Sequence, residues 1–202
     1  MKNKSNIILA SSSKRRLKLL SQIGINPEKV LKPNIDEKSF SSLPISKRVK
    51  ELAFQKAISV KNSAKHNYLI SADTVVYRAG ISFEKSCKIS DVKSYLKKLS
   101  GKKHIVYGGV CVISPQGIIS KRVVKTEVFM KNIAESELKD KNILNDGLGK
   151  AGGYAIQGFG EMMIYKIKGS FSNVMGLSIY DVHSMLICLL YTSPSPRDFT
   201  ES

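Results

Sequence analysis

The sequence contains no tryptophan, and it has only three cysteines and three histidines among 202 residues. The cysteines are far apart and no Cys-x-x-Cys spacing occurs, so neither a zinc site nor a disulfide framework is indicated. The histidines form no pair with metal-ligand spacing either. This cysteine usage fits a reducing compartment, and we expect a cytoplasmic protein.

Long apolar runs are also missing. The first apolar run spans four residues, 7–10, which is too short for a secretory signal peptide. No window approaches the roughly 20 apolar residues of a membrane span, so we expect no membrane partner. The 42% of hydrophobic residues still suffices for a sizeable core in one domain or two small lobes.

Acidic residues are few, with 16 Asp and Glu against 33 Lys and Arg and a net charge of +17. Such a balance favours a polyanionic partner, which includes nucleic acids, membrane surfaces and nucleotides. The charge does not choose among these classes. Lysine enrichment on solvated faces explains much of the same excess.

The stretch from residue 7 to residue 24 predicts a short strand, a serine loop and a helix that ends at Gly24. Any of Ser11, Ser12 and Ser13 is a suitable N-cap. Basic residues 14–16 in the first turn oppose the helix dipole, so an anion is expected there. The stretch is therefore either a phosphate site or an ordinary capped surface helix.

Two further segments place charges next to apolar patterns. Lys56 lies in the middle of the apolar stripe of a helix predicted from Pro44 to about Ser63, where it either snorkels to solvent or faces an anion. Asp36 and Glu37 follow a short strand, where they form either a cation site or part of a solvated loop. Asp73 interrupts a near-continuous apolar strand, which makes it either a candidate for catalysis or a strand-end cap.

Several segments together resemble the Maf family of nucleoside triphosphate pyrophosphatases, in the same order and over nearly all of residues 7–187. These segments are 9–16, 52–57, 72–76, 150–158 and 169–177. The chain departs from the usual pattern at three positions, where Lys14 and Ser178 replace proline and Gly149 replaces aspartate. At the last of these positions, many family members have an acidic residue that this chain lacks.

The resemblance implies hydrolysis between the α- and β-phosphates of a nucleoside triphosphate, with a monophosphate and pyrophosphate as products. Asp73 is the implied general base, and Glu37 and Asp73 are the implied ligands of Mg²⁺ or Mn²⁺. The implied substrate-binding residues are Ser11, Arg15, Arg16, Lys56, Thr74, Lys85 and Gln157.

Three of these positions, Arg15, Thr74 and Gln157, match the branch of the family that hydrolyses dTTP and UTP. The amide of Gln157 suits the N3–H and O4 edge of a pyrimidine, and the alternative is a strand-end amide that satisfies backbone groups. Modified nucleotides also fit a pyrophosphatase with a house-cleaning role.

The expected fold is α/β, with a long mixed β-sheet flanked by helices and two lobes about a central cleft. Residues 1–187 are expected to form a single domain, and 188–202, which resemble translated vector sequence, a non-native or disordered tail. A homodimer is implied by the resemblance alone.

Two other classes compete with the enzyme. A basic nucleic-acid-binding module explains the net charge but not Asp73 in an apolar strand, since a buried acid repels a phosphate backbone. A regulatory protein on an inactive scaffold is disfavoured because the matched acids and lysines are all present. We expect no stable nucleic-acid complex.

Overall fold

The computed structural model describes residues 6–191 of the chain. Within them the strands are β1 (Ile7–Ala10), β2 (Lys29–Leu31), β3 (Tyr68–Arg78), β4 (Ile81–Phe83), β5 (Lys103–Ile113), β6 (Ile119–Met130) and β7 (Ile164–Lys168). The α-helices are α1 (Lys14–Gln22), α2 (Ile45–Ile58), α3 (Ile89–Leu99), α4 (Lys141–Gly147), α5 (Phe171–Met175) and α6 (Ile179–Tyr191). Short 3-10 helices cover Glu37–Phe40, Lys61–Ala64, Glu137–Lys139 and Phe159–Met163.

The strands form a single mixed sheet in the order β2-β1-β3-β5-β6-β7, with β4 paired to β3 outside this path. Strand β1 is parallel to both β2 and β3, whereas the remaining pairs are antiparallel. The predicted mixed sheet and its flanking helices are therefore confirmed.

The apolar core is divided along the length of the sheet. At one end, α2 packs on one face and α1, α5 and α6 pack on the other, around the first half of β3. At the other end, α3 and α4 enclose a separate cluster with the second half of β3 and the first half of β5. The two clusters on opposite faces at the first end form one of the expected lobes and the cluster at the other end forms the second, and both lobes share the long central strands.

A gap in strand pairing lies between the two lobes. On one edge of β3, strand β5 pairs continuously from Leu69 to Tyr77. The opposite edge is shared, because β1 pairs only as far as Ser71 and β4 begins only at Val76. In the described part of the chain, residues 72–75 thus have no neighbouring strand on this edge, which makes room for a cleft.

Helix α2 lies unusually close to the sheet. A Cβ at Gly109, the β5 partner of Asp73, would overlap the backbone carbonyl of Val49 in α2. The hydroxyl of Ser71 also donates to the Ala53 carbonyl, at 2.5 Å. The glycine thus lets the helix approach closely enough for side chains on its buried face to reach β3.

The C-terminal helix is longer than predicted. It continues to Tyr191 instead of ending near Ile187, because Leu189 extends the apolar face of the helix. Leu189 is only 4% exposed and packs into the cluster that α1, α5 and α6 form on the sheet. Residues 192–202, most of the predicted tail, lie outside the described residues. No helix within residues 6–191 is both long and apolar enough to cross a bilayer.

Replacing Gly109 with alanine should destabilise the protein by about 3 kcal/mol or more, because the new methyl group must displace the backbone of α2. Gly24→Ala is the matched control, since open space surrounds Gly24 and its positive φ of 76° alone costs about 1 kcal/mol. Urea unfolding measures both. An equal loss in the two variants would contradict the close approach.

Candidate active site

A buried lysine joins two carboxylates at the centre of the gap. The Nζ atom of Lys56 lies 2.6 Å from Oδ1 of Asp73 and 2.8 Å from Oε1 of Glu37. The side chains of Lys56 and Asp73 are each 9% exposed, whereas that of Glu37 is about half exposed. Lys56 therefore faces inward rather than snorkelling to solvent, and Asp73 lies inside the molecule with a charged partner.

Arg16 connects three elements on the other face of the sheet. Its guanidinium donates to the Gly176 carbonyl at 2.8 Å, to the Ser11 hydroxyl at 3.1 Å and to the Thr74 hydroxyl at 3.2 Å. Burial lowers the pKa of Arg16, while the charge of Asp73 acts in the opposite direction. Three of the five N–H donors are thus held by protein, and two remain for a ligand.

The serine loop forms the start of α1 as predicted. Ser13 is the N-cap and accepts from the Arg16 N–H at 3.5 Å, while Ser11 is buried and accepts from the Ser13 N–H at 3.2 Å. The serine loop lines a cavity together with five cations and one acid, which are Arg15, Arg16, Lys32, Lys56, Lys85 and Glu37. This cation set suits a polyphosphate.

Two consecutive residues bring the opposite faces of the sheet into one cavity. Side chains alternate along a strand, so Asp73 points toward α2 and Thr74 toward α1 and α5. Both nevertheless line one cavity together with Arg16, Lys56 and Lys85, because no strand covers this edge of β3. We call it the central cavity, and it is distinct from the cavity lined by the whole serine loop. The site therefore spans the edge of the sheet.

The remaining predicted residues lie at the outer end of this region. Arg15 lines both the central cavity and a neighbouring depression, which we call the outer cavity. Gln157 is exposed and lines the outer cavity, with Asp146 of α4. Burial lowers the pKa of Arg15, and the charge of Asp146 opposes that effect.

Tyr154 forms a wall of the central cavity and is anchored from behind. Its hydroxyl lies 2.7 Å from Nε2 of His104, which is 1% exposed, while the other ring nitrogen of His104 has no hydrogen-bond partner. Burial lowers the pKa of His104 to about 4, with a smaller contribution from Arg78. His104 is therefore a neutral structural support at ordinary pH.

Sequence reasoning missed several residues around the site. Arg48 of α2 pairs with Glu84 at 2.9 Å, which ties the helix that carries Lys56 to the segment that carries Lys85. Asp146 was also missed, as was Tyr154, although Tyr154 lies within the segment 150–158. The position of Arg48 one turn before Leu52 gave no signal, because its partner is brought to it only by the tertiary fold.

The acidic residues of the site suit a hard divalent cation. The carboxylates of Glu37 and Asp73 converge on one ammonium group, and oxygen donors are those that Mg²⁺ prefers. Within residues 6–191, no group of three or more His, Cys, Asp or Glu side chains is arranged for a metal ion. One or two carboxylates are nevertheless the usual complement for Mg²⁺ that also binds substrate phosphates.

The chain is similar in sequence to proteins that are named as nucleotide pyrophosphatases. The family model described as Maf-like protein matches residues 6–189. The dTTP/UTP pyrophosphatase of Caldicellulosiruptor bescii is 40% identical over 190 residues, covering 92% of this chain and 95% of the relative. The nucleoside triphosphate pyrophosphatase of Neorickettsia sennetsu is 36% identical, covering 90% and 87%.

Solved structures are more distant. The Ham1 protein of Staphylococcus aureus is 13% identical with a TM-score of 0.44, and the alignment covers 92% of this chain and 97% of that one. A likeness at this level adds nothing to the assignment.

Lys56→Met should destabilise the protein by about 3 kcal/mol, because it leaves the Asp73 carboxylate buried without its partner. Adding Asp73→Asn to that variant should recover part of the loss, since no buried charge then remains. A double-mutant cycle by urea unfolding measures the coupling. Strictly additive losses would contradict a coupled buried pair.

Stability should fall as the pH drops from about 6.5 to about 4, because His104 stays neutral in the folded protein while it gains a proton in the unfolded chain. The unfolded state binds more protons in that window, so the loss approaches roughly 3 kcal/mol near pH 4. Thermal unfolding against pH, with His104→Gln as comparison, isolates this contribution. A wild-type profile parallel to that of the variant would contradict it.

Proposed function

The chain belongs to the Maf-like protein family, and on this premise we propose that it is a nucleoside triphosphate pyrophosphatase that cleaves the bond between the α- and β-phosphates. The observation that carries this proposal is the convergence of Asp73, Lys56, Glu37 and Arg16 at the gap beside β3. A carboxylate, several cations and a helix start at one cavity are the groups that hydrolysis of a phosphoanhydride bond requires.

In this mechanism, Asp73 accepts the proton of the water that attacks the α-phosphorus. Its inward position and its contact with Lys56 hold the carboxylate at a fixed place in the cavity. Arg16, Lys56, Lys85 and the loop at Ser11 bind the triphosphate and stabilise the charge on the departing pyrophosphate.

Glu37 and Asp73 would hold Mg²⁺ or Mn²⁺, since both carboxylates contact the Lys56 ammonium group and therefore lie close to each other. A bound divalent ion supplies charge stabilisation at the phosphate oxygens and lowers the pKa of bound water. Asp73 has both roles in this proposal, so substitutions there are expected to affect metal affinity as well as turnover.

The preferred bases are thymine and uracil, as in the relatives named dTTP/UTP pyrophosphatases. Arg15 and Gln157 line the outer cavity, which adjoins the central cavity through Arg15. An amide offers both a donor and an acceptor to a pyrimidine edge. Thr74 contributes indirectly, because its hydroxyl accepts from Arg16 and donates to the Gly176 carbonyl.

The alternative predictions receive no support from these relatives, whose names describe nucleotide hydrolysis and not nucleic-acid binding. A role on modified nucleotides, a homodimer and a cytoplasmic location remain predictions.

The purified protein should release pyrophosphate from dTTP and UTP in the presence of Mg²⁺ or Mn²⁺, and chelation should abolish the activity. Asp73→Asn should lower kcat by about 10³-fold, because it removes the proton acceptor. Glu161→Gln, an exposed acid on the neighbouring 3-10 helix, is the matched control and should retain full activity. Full turnover by Asp73→Asn would remove the basis of the mechanism, and release of inorganic phosphate instead of pyrophosphate would contradict the cleavage site.

A further inference from the structure

A carboxylate outside the proposed catalytic set organises the outer cavity. Asp146 is half-buried near the end of α4, and its Oδ2 accepts from the Phe159 N–H at 3.0 Å. An added Cβ at Gly158 would lie 2.5 Å from the same oxygen. The backbone that follows Gln157 therefore lies directly against the Asp146 carboxylate.

The same carboxylate acts on a second element. Arg15 projects from the first turn of α1, where burial lowers its pKa and the negative charge of Asp146 partly restores it. In the part of the chain that the structure describes, the outer cavity is lined by one acid, Asp146, and by three cations, Lys14, Arg15 and Lys150. Arg15 and Asp146 thus line the same cavity with opposite charges, so the carboxylate attracts the guanidinium toward this wall.

These contacts connect three separate parts of the chain. Helix α4 supplies Asp146, helix α1 supplies Arg15, and the segment before the Phe159–Met163 helix supplies Gln157. The hydrogen bond from the Phe159 N–H holds the loop, and the negative charge of Asp146 attracts the Arg15 guanidinium across the cavity that both residues line. Neither effect requires Asp146 to contact a ligand.

We propose that Asp146 is a positioning residue for base selection, which sets Arg15 and Gln157 relative to each other so that the outer cavity accepts a pyrimidine base. This inference rests on the proposed function, in which these two residues face the base. Asp146 lies outside the group of residues that binds the phosphates, so its role concerns the choice of substrate and not the chemical step.

The test compares Asp146→Asn with wild type and with Glu161→Gln. The asparagine retains an oxygen acceptor for the Phe159 N–H and loses only the charge. We expect the KM for dTTP to rise about tenfold with kcat changed less than twofold, whereas the kinetic constants for ATP stay unchanged. The preference for dTTP over ATP in kcat/KM then falls about tenfold.

Gly158→Ala is a second variant, because it presses on the carboxylate without removing any polar group. It should also lower the preference for dTTP over ATP in kcat/KM. Circular dichroism and thermal unfolding establish that both variants are folded. An unchanged dTTP/ATP ratio in folded Asp146→Asn, or an equal loss for both nucleotides, overturns the proposal.

Binding of the α,β-methylene analogues of dTTP and ATP separates this inference from the proposed function. If wild type turns over no triphosphate, the proposed function fails, yet a fall in the ratio of the two analogue affinities in Asp146→Asn still supports base selection. If wild type is active and neither analogue affinity changes in the variant, only the inference on Asp146 fails.

Discussion

The site depends on a lysine that is held between two carboxylates inside the protein. Burying Asp73 in an apolar strand is unfavourable unless a cation compensates it, and Lys56 is unfavourable on the apolar face of α2 for the same reason. Each charge makes the other tolerable, so the pair can exist only while α2 stays against β3. The close approach at Gly109 is therefore a requirement of the electrostatics as much as of the packing.

The second constraint is the topology of β3. Strands β1 and β4 share one edge of β3 and leave residues 72–75 between them. Along the same strand, Ile70 and Ala72 belong to the cluster with α1, α5 and α6, whereas Val76 belongs to the cluster with α3 and α4. A rigid sheet thus continues through the site while its side opens to ligand. Groups from α1, α2 and the segment near Ala151 meet there without any need for a long active-site loop.

Sequence patterns were sufficient for the parts in which local signals and tertiary contacts agree. The apolar run around Asp73 predicted β3 and the serine loop predicted the start of α1. The stripe on α2 left open whether Lys56 snorkels or faces an anion, and only the family resemblance favoured the inward position that the structure shows. Patterns were insufficient where a partner comes from a distant element. Asp146 and the Arg48–Glu84 pair have their roles only because α4 and β4 are placed by the fold, and the end of α6 was misplaced because Leu189 is buried by tertiary packing.

The alternation of Asp73 and Thr74 limits how the chain length can vary during evolution. An inserted or deleted residue in β3 before Asp73 would exchange the two faces, directing an acid at Arg16 and a threonine at Lys56. Strand β3 is also paired on both edges before the gap, so a bulge there would disturb β1 and β5 together. The turn between β5 and β6 lies beyond the ladder and is free of that restriction, so insertions in this architecture belong at the hairpin tip and not upstream of the acid.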